Sequence, residues 1–146
     1  MSTIKEVGLL IARVLLGVIL IAHGWDKFQI TGLEGITGFF DSIGIPAAGV
    51  AAPVVATVEI ATGILLILGL FTQIVGIVVA LLMLGAALSA HVAAGIFVAN
   101  GGWELVGAIG AGALLLAVIG AGNWSLDRAL FNRSTGSPTA RETTTV

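Results

Sequence analysis

The chain has 146 residues, of which 58% are hydrophobic and 10% are charged, and its formal net charge is −2. Its mean hydropathy of +1.13 is far above that of soluble domains, and no basic patch supports nucleic-acid binding. Because cysteine is absent, the chain cannot make a disulfide, a thiolate zinc site or an iron–sulfur cluster of its own. These properties indicate one compact membrane domain, in which redox chemistry would need a borrowed cofactor or partner.

Four hydrophobic stretches, residues 7–23, 50–70, 73–97 and 104–122, predict a bundle of four transmembrane helices. No Asp, Glu, Lys or Arg occurs from Ile60 to Trp103, a run long enough for two spans of roughly 20 residues each. The first stretch resembles a cleaved signal peptide in length, but it contains Arg13 and lacks the small-residue cleavage pattern, so we expect it to be retained.

The first loop and the C-terminal segment differ in character from the spans. Within residues 31–49, Phe39, Phe40 and Ile43 recur at helical spacing beside polar residues, which predicts a short helix lying at the membrane interface. Residues 127–146 are polar and rich in Ser, Thr and Pro, which predicts a disordered tail after a membrane domain at 1–126.

The basic residues predict the orientation of the chain in the membrane. In a four-span topology Lys27 lies in a loop on one side, and the other loop and terminal basic residues share the opposite side: Lys5, Arg128, Arg133 and Arg141. Because basic residues concentrate on the cytoplasmic side, we expect both termini there.

Ionisable residues inside apolar sequence are costly, and they are the candidate functional residues: Arg13, His23, Lys27, Glu59, His91 and Glu104. A helix rise of about 1.5 Å per residue places Arg13 roughly 15 Å below the His23 end of span one, and Glu59 about 13 Å below the start of span two. We therefore predict an Arg13–Glu59 ion pair between adjacent spans, with fixation of helix register as the alternative reason for such a pair.

A second polar layer is predicted near the outer end of the bundle. His91 lies there, level with His23 and near Glu104, and Lys27 follows His23 by one helical turn. The alternative for His23, Lys27 and Glu104 is interfacial anchoring, in which polar tips reach the lipid headgroups.

An ordered set of short motifs resembles the DoxX family of small bacterial four-span membrane proteins. The motifs, within residues 13–127, are Arg13-x-x-x-Gly17, His23-Gly24-x-x-Lys27, Phe39-Phe40 before Gly44-Ile45-Pro46, Glu59-x-x-x-Gly63, Gly69-Leu70-Phe71-Thr72, His91, and Gly101-Gly102-Trp103-Glu104. Where the family often has a basic residue after the Gly-Leu-x-Thr stretch, this chain has Gln73. The resemblance implies residence in a bacterial plasma membrane and a role in membrane-associated redox chemistry, as in subunits of thiosulfate:quinone oxidoreductase or membrane partners of superoxide-detoxifying and sulfur-transferring enzymes.

If the chain shares the function that this resemblance implies, its two predicted polar layers could bind a quinone. We expect His23 and His91 to hydrogen-bond the quinone head, and Lys27 to balance developing negative charge. Glu104 would exchange protons with the outer side, and Arg13 and Glu59 would form the floor of the site.

Other functions remain open at the level of sequence. The chain could be a non-enzymatic anchor that recruits a soluble redox enzyme through the loop around Phe39 and Phe40, or a transporter of a small solute or proton. Two histidines at matching depth could also ligate a haem or, with Glu104, a metal, which we consider less favoured than a quinone. The glycine-rich faces suggest a homo-oligomer.

Overall fold

The computed structural model describes residues 2–131, and in that range the chain is helical with no β-strand. This confirms the predicted all-α bundle. The helices are α1 (Thr3–Trp25), α2 (Gly32–Ser42), α3 (Ala48–Leu68), α4 (Thr72–Ala86), α5 (Glu104–Ile119) and α6 (Leu126–Phe131).

Three helical stretches are long and apolar enough to cross a membrane: Thr3–Ile30, Ala48–Leu68 and Thr72–Ala94. The fourth, α5, has 16 residues and is therefore about 24 Å long, somewhat less than a hydrocarbon core of about 30 Å. Large apolar side chains are exposed along the outer faces, such as Leu15, Leu81 and Leu115. A surface of this kind is suited to lipid, and the chain is an integral membrane protein.

Two of the membrane-spanning helices continue beyond their α-helical residues as π-helical segments. A π-helical segment, Asp26–Ile30, follows α1 directly, and a second one, Ala87–His91, follows α4. The first span is therefore longer at its C-terminal end than the predicted 7–23. π-Helical turns are rare and are frequently found at functional sites.

The bundle is built from two helix pairs, α1 with α3 and α4 with α5. Glycines allow the close approach in each pair: a Cβ added to Gly63 would lie 2.6 Å from the carbonyl oxygen of Gly17, and one added to Gly76 would lie 2.6 Å from that of Ala113. Small residues at helix contacts are typical of membrane bundles. Between the pairs lies an apolar core that includes Leu20, Leu66, Val79, Met83, Ile109 and Leu116.

The helix predicted around Phe39 and Phe40 is present as α2, which packs against α3. Its location at the membrane interface stays a prediction. The predicted tail, 127–146, lies largely outside the described residues. Its first five residues belong to α6, and Asp127 is hydrogen-bonded to the bundle, so the ordered part of the domain extends beyond the predicted boundary at residue 126.

Candidate functional site

A cavity of about 550 Å³ lies between the two helix pairs at the end of the bundle where α1 ends and α5 begins. Most of its lining is apolar and comes from α1, α3, α4 and α5, with α2 and the 98–102 loop adding further walls. Four of the predicted site residues line it, namely His23, Lys27, Glu59 and His91. Arg13 and Glu104 do not.

Lys27 and Glu59 form an ion pair in the wall of this cavity. The Lys27 ammonium donates to both carboxylate oxygens of Glu59, at 2.8 Å to Oε2 and 3.0 Å to Oε1. The two side chains are only 16% and 7% exposed, so the charges are largely withdrawn from solvent. Lys27 lies in the π-helical segment that continues α1, on the same face as the buried Leu20 and Gly24, and its long side chain reaches back towards Glu59.

The predicted Arg13–Glu59 ion pair is wrong, because Glu59 is paired with Lys27. The error is one of register. The prediction placed the start of span two level with His23, but a Cβ on Gly24 would lie 2.7 Å from the carbonyl oxygen of Ala56, so α3 begins about two turns further beyond this level than assumed. Glu59 therefore lies closer to the C-terminal end of α1 than Arg13 does.

Arg13 instead fastens the opposite end of the bundle. Its guanidinium donates to the backbone carbonyl oxygens of Ala121 and Trp124, which follow α5, and it also lies against Gly69 at the end of α3. The side chain is 1% exposed. Arg13 therefore joins three helices at a level far from the cavity. Its partners are backbone carbonyls, which sequence patterns do not reveal.

Two carboxylates complete this fastening, and sequence reasoning singled out neither. Glu6 accepts hydrogen bonds from the backbone N–H and the side-chain amide of Asn123. Asp127 accepts from the N–H groups of Phe71 and Thr72 at the start of α4, at 2.7 and 2.9 Å. For Asp127 the available signal was its position just outside an apolar stretch, since an acidic side chain can accept from the free N–H groups at the start of a helix. Glu6 binds Asn123, which does not begin a helix, and no comparable signal marked it.

The two histidines line the same cavity from different helix pairs. His91 Nδ1 lies 2.7 Å from the carbonyl oxygen of Gly101. A carbonyl oxygen only accepts, so Nδ1 carries the hydrogen, and in the neutral ring Nε2 is left as an acceptor. His23 also lines the cavity, and its backbone carbonyl accepts a long hydrogen bond of 3.4 Å from Lys27.

Glu104 holds the loop that forms one wall. Its Oε1 accepts a hydrogen bond of 2.7 Å from the N–H of Val98, and Val98, Gly101 and Gly102 line the cavity. Its observed contact is therefore with the loop backbone. Phe39 and Phe40, which the sequence analysis places in an interfacial helix that could recruit a soluble partner, also line the cavity. Among residues 2–131, no three His, Asp or Glu side chains are grouped so as to hold a metal ion.

Comparison with known proteins shows that this chain is similar to several membrane proteins. The model of the DoxX family matches residues 8–92. The chain is 34% identical over 133 residues to a Mycobacterium tuberculosis (strain ATCC 25618 / H37Rv) protein named "Uncharacterized membrane protein Rv3486", covering 84% of this chain and 81% of that one. It is 32% identical over 136 residues to "Inner membrane protein YqjF" of Escherichia coli (strain K12), covering 89% and 97%.

A shorter and more similar match is to a Bacillus subtilis (strain 168) protein named "Putative oxidoreductase CatD". The identity there is 46% over 81 residues, which is 56% of this chain and 58% of that protein. No solved structure matches the chain.

Proposed function

The chain belongs to the DoxX family, and from that premise we propose that it is the quinone-binding membrane subunit of an oxidoreductase system. The observation that carries the proposal is the buried Lys27–Glu59 pair in the wall of an otherwise apolar cavity. Ionisable groups inside a membrane domain are retained at a cost and usually mark a functional site.

The cavity has the properties that a quinone head requires. Its volume of about 550 Å³ lies within the range of small-molecule sites, roughly 300 to 1,000 Å³. Apolar side chains such as Phe39, Phe40 and Leu20 would contact the ring, while a few polar groups would fix its orientation. A bound quinone would supply two-electron redox chemistry linked to proton uptake.

Each polar side chain has a distinct capacity in this proposal. The Lys27 ammonium has three N–H groups, of which Glu59 takes up two and the His23 carbonyl oxygen accepts the third at 3.4 Å. A carbonyl oxygen of the ligand would replace this long third hydrogen bond. Glu59 holds the ammonium in place and can itself accept a proton. His91 is oriented by Gly101, which directs the position of its second ring nitrogen.

The Bacillus subtilis relative supports the redox reading through its printed name, which is that of an oxidoreductase. The match covers a little over half of that protein, so an oxidoreductase role for this chain is part of the proposal. The chain has no cysteine, and its redox role would therefore depend on the bound ligand and on a partner enzyme.

The proposal is tested by equilibrium binding of decyl-ubiquinone to the full chain purified in mild detergent. We expect the double variant His23→Ala, His91→Ala to bind at least about tenfold more weakly, because each lost hydrogen bond contributes about 1 kcal/mol. Glu34→Gln is the matched control, since Glu34 is an exposed residue of α2 at the same end of the bundle and does not line the cavity. It should bind as the unmodified chain does.

Two results would contradict the proposal. The first is no saturable decyl-ubiquinone binding by the unmodified chain, and the second is equal binding by the unmodified chain and the double histidine variant. With either result, copurification of a soluble redox enzyme would become the decisive observation, since it would support the anchor function instead.

A further inference from the structure

The cavity between the two helix pairs has an opening along α4. Its lining includes Leu81, Gly85 and Ser89, which recur at every fourth residue along α4 and its π-helical continuation and therefore lie on one side of the helix. All three residues are exposed. This side of α4 therefore borders both the cavity and the surroundings of the protein.

The opening lies between α3 and α4. Gly76 packs against α5, and Gly85 follows it by two and a half helical turns, so Gly85 lies on the side of α4 away from α5. A Cβ added to Gly85 would have nothing within 4 Å, and the gap beside it is therefore empty of protein atoms. α4 also packs against α3. The cavity wall contributed by α3 consists of residues at every fourth position, namely Ala51, Val55 and Glu59.

The opening lies at the depth of the membrane interior. The stretch Thr72–Ala94 is long and apolar enough to cross a membrane, and Leu81 is near its middle. Two further leucines, Leu84 and Leu88, are exposed on α4 and its continuation at the level of the opening. The way out of the cavity therefore leads to the hydrocarbon tails of the bilayer and not to water.

The cavity changes in polarity between its buried wall and this opening. The buried wall carries the Lys27–Glu59 ion pair, whereas the opening is bordered by Leu81 and Gly85. Ser89 is polar, but its hydroxyl donates to the carbonyl oxygen of Gly85 at 2.8 Å and is thus already bonded to its own helix. An occupant that fits both regions has a polar head and a long apolar tail.

The inference drawn from this opening rests on the quinone-binding function proposed above. We propose that the cavity takes a lipid-soluble quinone whose apolar tail passes between α3 and α4 into the bilayer. The head lies beside the Lys27–Glu59 pair, and the tail crosses α4 at Gly85, where the missing side chain leaves the path open. The substrate class is therefore a membrane quinone with a long tail, and Gly85 is a specificity-determining residue for that tail.

Equilibrium binding of two quinones with the same head and different tails, measured on the full chain in mild detergent, tests the proposal. The tail of decyl-ubiquinone is long enough to enter the opening, whereas a ubiquinone with a single isoprenoid unit stays within the cavity. We expect Gly85→Phe to weaken the binding of decyl-ubiquinone by about tenfold, because about two methylene groups of the tail lose their contact with the protein. The binding of the short-tailed ubiquinone should not change, and this shows that the fold and the head site are intact.

Gly8→Phe is the matched control. Gly8 is also an exposed helical glycine at which an added Cβ would have nothing within 4 Å, but it does not line the cavity. Both quinones should bind to Gly8→Phe as they bind to the unmodified chain.

Three results would overturn the inference, and they differ in what they mean for the quinone function. Equal binding of decyl-ubiquinone by Gly85→Phe and Gly8→Phe would assign the gap to bilayer lipid and leave the quinone function intact. Equal weakening of both quinones by Gly85→Phe would show that this position acts on the head and not on the tail. Binding of neither quinone by the unmodified chain would overturn the quinone function and this inference together.

Discussion

Lys27 and Glu59 illustrate, at the scale of single residues, how an apolar bundle keeps charges that it could not bury alone. Either charge without the other would lose its hydration and gain nothing in return. Together they are joined at 2.8 Å and keep only small exposed fractions, 16% and 7%. The pair therefore stabilises the bundle only as a unit, and replacing one partner should be worse than replacing both.

This asymmetry is a measurable prediction. We expect Lys27→Met to lower the free energy of unfolding by about 3 kcal/mol, because Glu59 is left buried without its counterion. The double variant Lys27→Met, Glu59→Met should recover at least half of that loss, since no unpaired charge remains. Unfolding of the purified proteins by SDS titration in mixed micelles measures both. A double variant as unstable as the sum of the two single variants would show that the pair has no coupling.

The residues also show what sequence reasoning can and cannot reach. The energetic cost of placing a charge in an apolar span identified Arg13 and Glu59 as residues that need a partner, and both are indeed buried. Their partners depend on the register of α1 against α3 to within one or two helical turns, and that register is set by glycine contacts rather than by span boundaries. Lys27 was assigned to a loop because the π-helical extension of α1 is not visible in hydropathy.

At the scale of the elements, the closeness of α1 and α3 depends on two facing glycines. A Cβ on Gly63 would lie 2.6 Å from the carbonyl oxygen of Gly17, and one on Gly17 would lie 2.6 Å from that of Gly63. Backbone atoms cannot move aside as flexible side chains do, so a methyl group at either position has to separate the helices. The Lys27–Glu59 pair spans these same two helices and would be stretched with them.

Gly63→Ala should therefore destabilise the bundle by about 1 to 3 kcal/mol, the usual cost of overpacking. Gly8→Ala is the matched control: it lies in the same α1 helix, and an added Cβ there would have nothing within 4 Å. Because alanine favours a helix over glycine, Gly8→Ala should be neutral or slightly stabilising. SDS titration of the two variants side by side provides the comparison, and equal stability would show that the α1–α3 contact is looser than the structure indicates.

The existence and order of the helices were accessible from the sequence because they follow from hydropathy and length, which are local properties. Even the short helix α2 was visible through the spacing of Phe39, Phe40 and Ile43. The assignment of helices to pairs was not accessible, because it depends on which small residues face each other across space. For the same reason the cavity between the pairs, and the contribution of α2 to its wall, emerge only from the structure.

At the scale of the whole molecule, the polar groups are separated into two ends of unlike character. One end holds the apolar cavity with His23, His91 and the Lys27–Glu59 pair. The other end is fastened by Glu6, Arg13 and Asp127, which bind mostly backbone groups. The fastened end brings the first and last described segments together, since Glu6 is hydrogen-bonded to Asn123. An even number of membrane crossings follows if all four apolar helices span.

The absence of cysteine makes the topology directly testable, because any introduced cysteine is the only thiol in the chain. The basic residues predict that the fastened end faces the cytoplasm. We expect a membrane-impermeant maleimide to label Asp41→Cys and Asn100→Cys on intact bacterial cells, and Ser2→Cys only after the membrane is permeabilised. All three positions are exposed, so accessibility within the protein does not limit the reaction. Labelling of Ser2→Cys on intact cells would reverse the orientation and place the cavity near the cytoplasm, and labelling of Asp41→Cys without Asn100→Cys would show that the helices between them do not return to the same side.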